Sequence, residues 1–355
     1  MTPLAETLKN TIRTSGPITL ADYMASCLLH PQHGYYATRD PLGQAGDFTT
    51  APEISQMFGE MIGLCLAQAW LDQNAPGQVT LAELGPGRGT LMQDILRATA
   101  KVPGFHNALH IHLVEASHPL RTEQKNRLGA WTVTWHDTVD DLPTDQPIFL
   151  VANEFFDALP VRQFRRDGSL WCEHVIGLDD AGQLTSGWSP PKPVADLEPR
   201  QVDTQEGDIL EMSPHARNVT EAIGRRIADQ GGTALILDYG DWGTLGDTVQ
   251  AVKGHAPAGL LDTPGQCDLS AHVDFETIAT AAPCRHTRLA TQGMFLERLG
   301  ITQRAQALAQ NMHGDALTSH VAAHRRLTHP EEMGTLFKVI ALYADGSAPP
   351  PGLTE

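Results

Sequence analysis

The sequence predicts an α/β protein built on a doubly wound, mostly parallel sheet, and three observations predict it. Val79 to Leu84 is a run of strand-forming and apolar residues that stops at the glycine turn Gly85-Pro-Gly-Arg-Gly89, and the helical pattern Leu91, Ile95, Leu96 follows at once. Further short apolar runs, His110 to Glu115, Trp131 to Asp137, Ile148 to Glu154 and Thr233 to Asp238, each end in an acid and alternate with helical or polar stretches. The chain has 355 residues, enough for one large core carrying inserts.

Taken in order, residues 1–75 read as N-terminal helices and a loop. Leu4, Leu8, Ile12 and then Leu20, Tyr23, Met24, Cys27 and Leu28 recur at helical spacing, and Ser15-Gly-Pro17 joins the two helices. The stretch from Gly43 to Ile54 has too many glycines for a helix and too little alternation for a strand, yet it holds Asp47, Thr49, Thr50 and Glu53, which suits a lid over a site. It reads equally as a surface loop that caps a helix starting at Pro52. Residues 76–345 form the core. An insert at about 161–205 reads as a β meander, with turns at Asp167-Gly168 and Asp180-Ala-Gly182. The sequence Glu211-Met-Ser-Pro-His215 caps a helix that Gly231-Gly232 ends, and a long glycine- and proline-rich loop occupies about 240–270. Asp274 starts a further helix, three amphipathic stretches run from Met294 to Leu327, and Gly334 to Leu342 is the last strand. Residues 346–355 read as a frayed tail.

Composition limits the partners. Lys plus Arg number 25 against 42 Asp plus Glu, and the net charge of -17 repels phosphate backbones and anionic lipid, so no nucleic-acid partner is expected. No apolar run approaches the ~20 residues of a membrane span, and no basic-then-apolar leader opens the chain. Five cysteines without a C-x-x-C pair indicate buried thiols in a reducing compartment, so a cytoplasmic protein without structural metal is expected. The motifs G-x-S-x-G, G-K-[ST] and H-E-x-x-H are absent, and neither His110 with His112 nor His320 with His324 has a third ligand at recognisable spacing.

The glycine turn is the candidate cofactor site. Gly85 and Gly87 let a ligand approach the backbone, and the first N–H groups of the following helix point at it. Its Gly-x-Gly-x-Gly spacing, with Glu83 in the preceding strand, favours S-adenosyl-L-methionine over a dinucleotide. Glu115 is the candidate ribose ligand, and Asp137, ending the next strand, joins the cofactor-binding set. The buried strand Ile148 to Ala152 ends in Asn153-Glu154 and then Asp157, where a methyl acceptor would meet the cofactor. Two carboxylates three residues apart face the same way if a helical turn starts there, and a cationic substrate would be their counterion. The alternative is that one of them pairs with Arg162, Arg165 or Arg166.

Five segments together, Gly46 to Glu60, Glu83 to Leu91, His112 to Glu115, Asn153 to Val161 and Asp238-Tyr-Gly240, resemble the MidA family over nearly the whole chain. The resemblance implies a class I, Rossmann-like, S-adenosyl-L-methionine-dependent methyltransferase with a seven-stranded, mostly parallel sheet and extra elements. It also implies methylation of an arginine on a protein substrate, for mitochondrial members a subunit of respiratory complex I, with symmetric dimethylation. Carried over by motif, Glu83, Gly85 and Gly87 hold the methionine end of the cofactor, Glu115 the ribose, and Asn153 with Glu154 the mouth of the site. Asn153, Thr49 and Thr50 join the cofactor set, and the catalytic candidates are Glu154, Asp157 and Asp47. Asn153 stands where mitochondrial relatives tend to have His, and Val249 to Gly254 replaces a Phe-Arg-Gly-like segment. A second class of function is an assembly factor or chaperone that binds the cofactor and holds a respiratory subunit with little or no catalysis.

Overall fold

The computed structural model describes residues 2–38 and 49–355, so Asp47 lies outside the described residues. The pattern of strands, glycine turn and helices becomes one mixed sheet. At its centre is β1 (Val79–Leu84); β2 (Leu109–Val114) and β3 (Val133–His136) follow on one side, β4 (Ile148–Asn153) and β5 (Gly232–Asp241) on the other, all parallel. The edge strand β6 comes in two pieces, Arg285–His286 and Ala290–Thr291, and both pair with β7 (Phe337–Tyr343), which runs antiparallel beside β5. Arg285 faces Tyr343 whereas Ala290 faces Val339, so β6 carries one extra residue between its pieces, a β-bulge. With β6 counted once the sheet has the expected seven strands, and the two-residue piece Val273–Asp274 extends the end of β5.

Every residue of β1 and of β4 is buried, which is why these strands read as unbroken apolar runs: helices cover both faces. The helices are α1 (Pro3–Ser15), α2 (Leu20–Leu29), α3 (Ala51–Ile54), α4 (Gln56–Asp72), α5 (Thr90–Thr99), α6 (His118–Arg127), α7 (Pro214–Gln230), α8 (Phe275–Ala281), α9 (Gln292–Arg298), α10 (Ile301–Ala309) and α11 (Gly314–Thr328). One face of the sheet packs on α4, α5, α9 and α10 through Phe58, Ile62, Ile95 and Phe295, the other on α7 and α8 through Ile223, Ile227, Phe275 and Ile278. Glu60 of α4, only 3% exposed, takes Arg97 of α5 and Arg304 of α10, so its buried charge is paired and ties three helices together. Among the described residues, no helix is long and apolar enough to cross a membrane.

Several elements differ from the sequence expectation. The helix expected from Pro52 is two helices, because Ser55 takes an extended conformation and its hydroxyl accepts the N–H of Met57 to start α4. The meander strands Arg162–Asp167, Leu170–Leu178 and Leu184–Trp188 do not end their sheet. Ile209–Met212 returns to pair with the first of them and Ile18–Thr19 pairs with the second, giving a five-stranded sheet on which α1 and α2 pack. Ser213, within the expected capping segment, caps α7, while Glu211 at its start lies in the returning strand. The loop at about 240–270 carries a small three-stranded sheet, Gln250–Lys253, Ala256–Ala258 and Asp268–Ser270. The tail is docked: Leu353 is buried in the main core, the Thr354 carbonyl accepts the N–H of Arg288, and the Pro351 carbonyl accepts the thiol of Cys65.

Candidate active site

The order of the sheet reverses between β1 and β4, and in a doubly wound sheet ligands bind beyond the carboxyl ends of strands at such a reversal. Here a cavity of about 480 Å³ opens at that point. It is lined by Glu83, Gly85, Gly87, Glu115, Asp137, Asn153, Glu154 and Thr50, so most of the residues singled out in the sequence come together. Thr49 and Asp157 are not among its lining residues. Gly85, Gly87 and Gly89 all have positive φ (60°, 53° and 79°), and Gly89 starts α5. At Gly85 a Cβ would stand 2.9 Å from the ring of Phe155, so glycine keeps this corner of the cavity open.

At the β1 end, Glu83 is 3% exposed and its Oε2 is buried with no hydrogen-bond partner among the described residues. Burial pushes its pKa up to about 8, the carboxylate of Glu115 adds to the rise, and a bond from the Met92 N–H opposes it. A buried carboxylate with an unfilled oxygen fits a ligand that brings a positive charge. Glu115 is better satisfied. One oxygen accepts the Ser117 N–H at 2.8 Å, the other the amide of Gln124 at 3.2 Å, and burial still raises its pKa to about 7. Gln124 also donates to the Gly87 carbonyl at 2.7 Å and accepts the Trp135 indole at 2.8 Å, so one side chain of α6 braces the glycine turn against Glu115. Nothing in the sequence singles out Gln124. Asp137, at the edge of the cavity, pairs with Arg121.

At the β4 end, Glu154 sits at φ 51°, a left-handed conformation uncommon for a residue with a side chain. Its N–H bonds the Leu237 carbonyl at 2.9 Å. Oδ2 of Asp238, in the carboxyl-terminal half of neighbouring β5 and 0% exposed, accepts the N–H groups of Phe155, Phe156 and Asp157 at 3.2, 3.0 and 3.2 Å. That carboxylate folds the chain after β4 and turns Glu154 towards the cavity. Oε1 of Glu154 accepts the Ala51 N–H at 2.9 Å and the Asn153 amide at 3.1 Å, and burial pushes its pKa up to about 7.

The two acids three residues apart do not share a face. Asp157 is not at the cavity but lies beside Tyr239, and burial raises its pKa. A helical turn would have aligned them, but Asp238 imposes a different backbone. The arginines just downstream are engaged elsewhere: Arg162 pairs with Glu173 at 2.7 Å, Arg165 stacks on Trp188, and Arg166 donates to the Thr204 and Gln201 carbonyls. Thr50 occupies the cap position of α3 without making the cap bond and faces the cavity. Glu53 of α3 accepts the hydroxyl of Thr90 at the start of α5, so the segment after the undescribed residues is pinned to both ends of the site.

Residues 61–294 match the family model of the S-adenosyl-L-methionine-dependent methyltransferases. "Protein arginine methyltransferase NDUFAF7, mitochondrial" of Danio rerio is 35% identical, over 94% of this chain and 85% of that protein; its Homo sapiens counterpart is 33% identical, over 96% and 83%. The crystal structure of a superfamily member from Burkholderia thailandensis bound to S-adenosyl-homocysteine superposes with a TM-score of 0.84 at 29% identity, covering 98% of this chain and 93% of that one. The chain belongs to this methyltransferase family.

The cofactor of the family is S-adenosyl-L-methionine, and the cavity suits it. The unpartnered Oε2 of Glu83 would take the ammonium of the methionine moiety beside Gly85 and Gly87, and Glu115 would accept from the ribose hydroxyls. Leu120 and Val139 offer an apolar wall for a base, next to Asp137. When bound, the cofactor supplies a methyl group activated by its sulfonium.

Proposed function

We propose that this methyltransferase acts on an arginine side chain of a protein, with a subunit of respiratory complex I as the substrate the family resemblance suggests. The observation that carries the reading is the carboxylate of Glu154, which faces the cofactor cavity at the end of β4 with no basic side chain bonded to it among the described residues. The names of the curated relatives support it. A guanidinium stays charged at any accessible pH, and its delocalised charge makes its nitrogens poor nucleophiles. Glu154 counters this by hydrogen-bonding one side of the group, which draws positive charge there and leaves lone-pair density on the nitrogen that attacks. Transfer would use the nitrogen lone pair for the new N–C bond and leave the electron pair of the broken C–S bond on sulfur, so the methylated nitrogen has one proton to give up. With a pKa near 7, Glu154 can receive that proton and release it. The five free cysteines, four of them buried, support a reducing, cytoplasmic setting.

The test uses tritiated S-adenosyl-L-methionine and protein extracted from cells that lack the gene. Label is expected in methylarginine after hydrolysis. Glu154→Gln is expected to keep cofactor binding and lose roughly two orders of magnitude in rate. Near-normal methylation by that variant would move the catalytic role to another residue.

A further inference from the structure

One polar atom at the acceptor end of the cavity has no role in the arrangement above: Oδ1 of Asn153. Asn153 ends β4, lines the cavity and is 8% exposed, and its Oδ1 is buried without a hydrogen-bond partner among the described residues. Its orientation follows from its neighbour. Nδ2 donates to Oε1 of Glu154 at 3.1 Å, the oxygen that also accepts the Ala51 N–H at 2.9 Å, so reversing the amide would set oxygen against oxygen. The carbonyl is thereby held on the other side. A buried carbonyl left without a donor bears its whole desolvation cost, and folded proteins keep few such groups. Beside an active-site carboxylate, the simplest donor is a ligand.

Two ligands enter this cavity. The ammonium of the cofactor has a better acceptor in Glu83, whose buried carboxylate oxygen is also unfilled. Glu83 pairs with Val151 across the β1–β4 ladder, so Asn153 lies two residues further along β4, towards the carboxyl end. Its one side-chain bond is to Glu154, the residue that faces the acceptor. We propose that Oδ1 of Asn153 accepts a hydrogen bond from an N–H of the substrate's guanidinium, so that Asn153 and Glu154 together fix the plane of the group being methylated. This rests on the arginine reading above and adds a specificity-determining contact to it. A carbonyl in this place selects acceptor groups that carry an N–H, because a group without one leaves the oxygen buried and unpaired.

The test compares the parent with Asn153→Leu and Asn153→Asp. Cofactor affinity comes from calorimetry, which also reports that each variant is folded, and methylarginine formation is followed in protein extracted from gene-deleted cells with tritiated S-adenosyl-L-methionine. Asn153→Leu keeps the size but removes the acceptor and the bond to Glu154. It is expected to bind cofactor as the parent does and to methylate about tenfold to a hundredfold more slowly. Asn153→Asp, which holds a proton beside the Glu154 carboxylate, keeps a donor towards Glu154 and a carbonyl acceptor on the other side, and is expected to recover most of that loss. Three results overturn the proposal: an unchanged rate in Asn153→Leu; a loss of cofactor affinity that accounts for its slow rate, which places the carbonyl against the cofactor; or an Asn153→Asp variant as slow as Asn153→Leu, which makes Asn153 only a support for Glu154. A parent protein that labels no arginine overturns the functional reading itself, and this contact falls with it.

Discussion

At Gly85 a single added carbon decides whether the cavity stays open. The residue has φ 60°, and a Cβ there would meet the ring of Phe155 at 2.9 Å. Gly85→Val therefore puts a branched side chain into strained backbone and into the cofactor's space. Calorimetry is expected to show a steep loss of S-adenosyl-L-methionine affinity in a protein that still folds; undiminished binding would remove Gly85 from the site. The acids nearby predict a pH dependence. Glu83, at about 8, and Glu115, at about 7, both titrate in the folded protein well above the ordinary value of 4.5. Between those values the folded state binds protons that the unfolded state does not, so the stability of the cofactor-free protein falls as pH rises through the window. A cationic cofactor favours the charged form of Glu83, so its binding releases protons near neutral pH. Raising the pH from about 6 to about 8 should therefore enlarge the increase in Tm that the cofactor produces. Calorimetry in buffers of different ionisation enthalpy measures the proton release directly, and its absence would mean that Glu83 does not meet the charge.

At the scale of elements, two strand ends make the acceptor site. Asp238 ends its run in β5, and by holding three N–H groups it sets the conformation of the segment after β4. The contact spans 81 residues between Asp238 and Asp157, so no local pattern in 153–157 announces it. That is why the spacing of Glu154 and Asp157 read as a helical pair, while the structure leaves only Glu154 at the cavity. Asp238→Asn has one acceptor oxygen where the carboxylate uses two, since Oδ1 also takes the Tyr239 N–H. The amide must then face an N–H with its own NH₂, at a cost of about 1–3 kcal/mol. Methyl transfer is expected to fall with cofactor affinity little changed, since Asp238 is not among the residues lining the cavity. A parallel loss of cofactor affinity in calorimetry would show instead that Asp238 supports the whole cavity.

Across the whole molecule, the chain's two ends are tied into the same body as the sheet. The N-terminal helices pack on the inserted sheet, while the last residues close over α4 and the β6 bulge through Leu353, Pro351 and Thr354. Deleting residues 350–355 removes one buried leucine, three hydrogen bonds to the rest of the chain and the exposed Arg285–Glu355 ion pair, a loss of ~3 kcal/mol. For a chain of this size that corresponds to about 4 °C in Tm, with cofactor affinity unchanged. Thermal unfolding checks it, and an unaltered Tm would mean that the tail contributes nothing to stability.

Where neighbouring residues carry the signal, the sequence alone was enough. The alternation of strands and helices, the glycine turn after β1, and the acids Glu83, Glu115, Asp137 and Glu154 at strand ends were legible, because parallel strands bring those ends to one edge of the sheet. The family resemblance was legible for the same reason, in short motifs. What only the tertiary structure decided were the contacts between residues far apart in the chain. Asp238 keeps Asp157 from the cavity, Gln124 braces the glycine turn, and α3 reaches Glu154 through the Ala51 N–H. The return of Ile209–Met212 to the meander and the docking of the tail belong with them. Each of these depends on a hydrogen bond or packing contact made after the chain has folded, and the residue types involved leave no periodicity in the sequence from which the partner could be found.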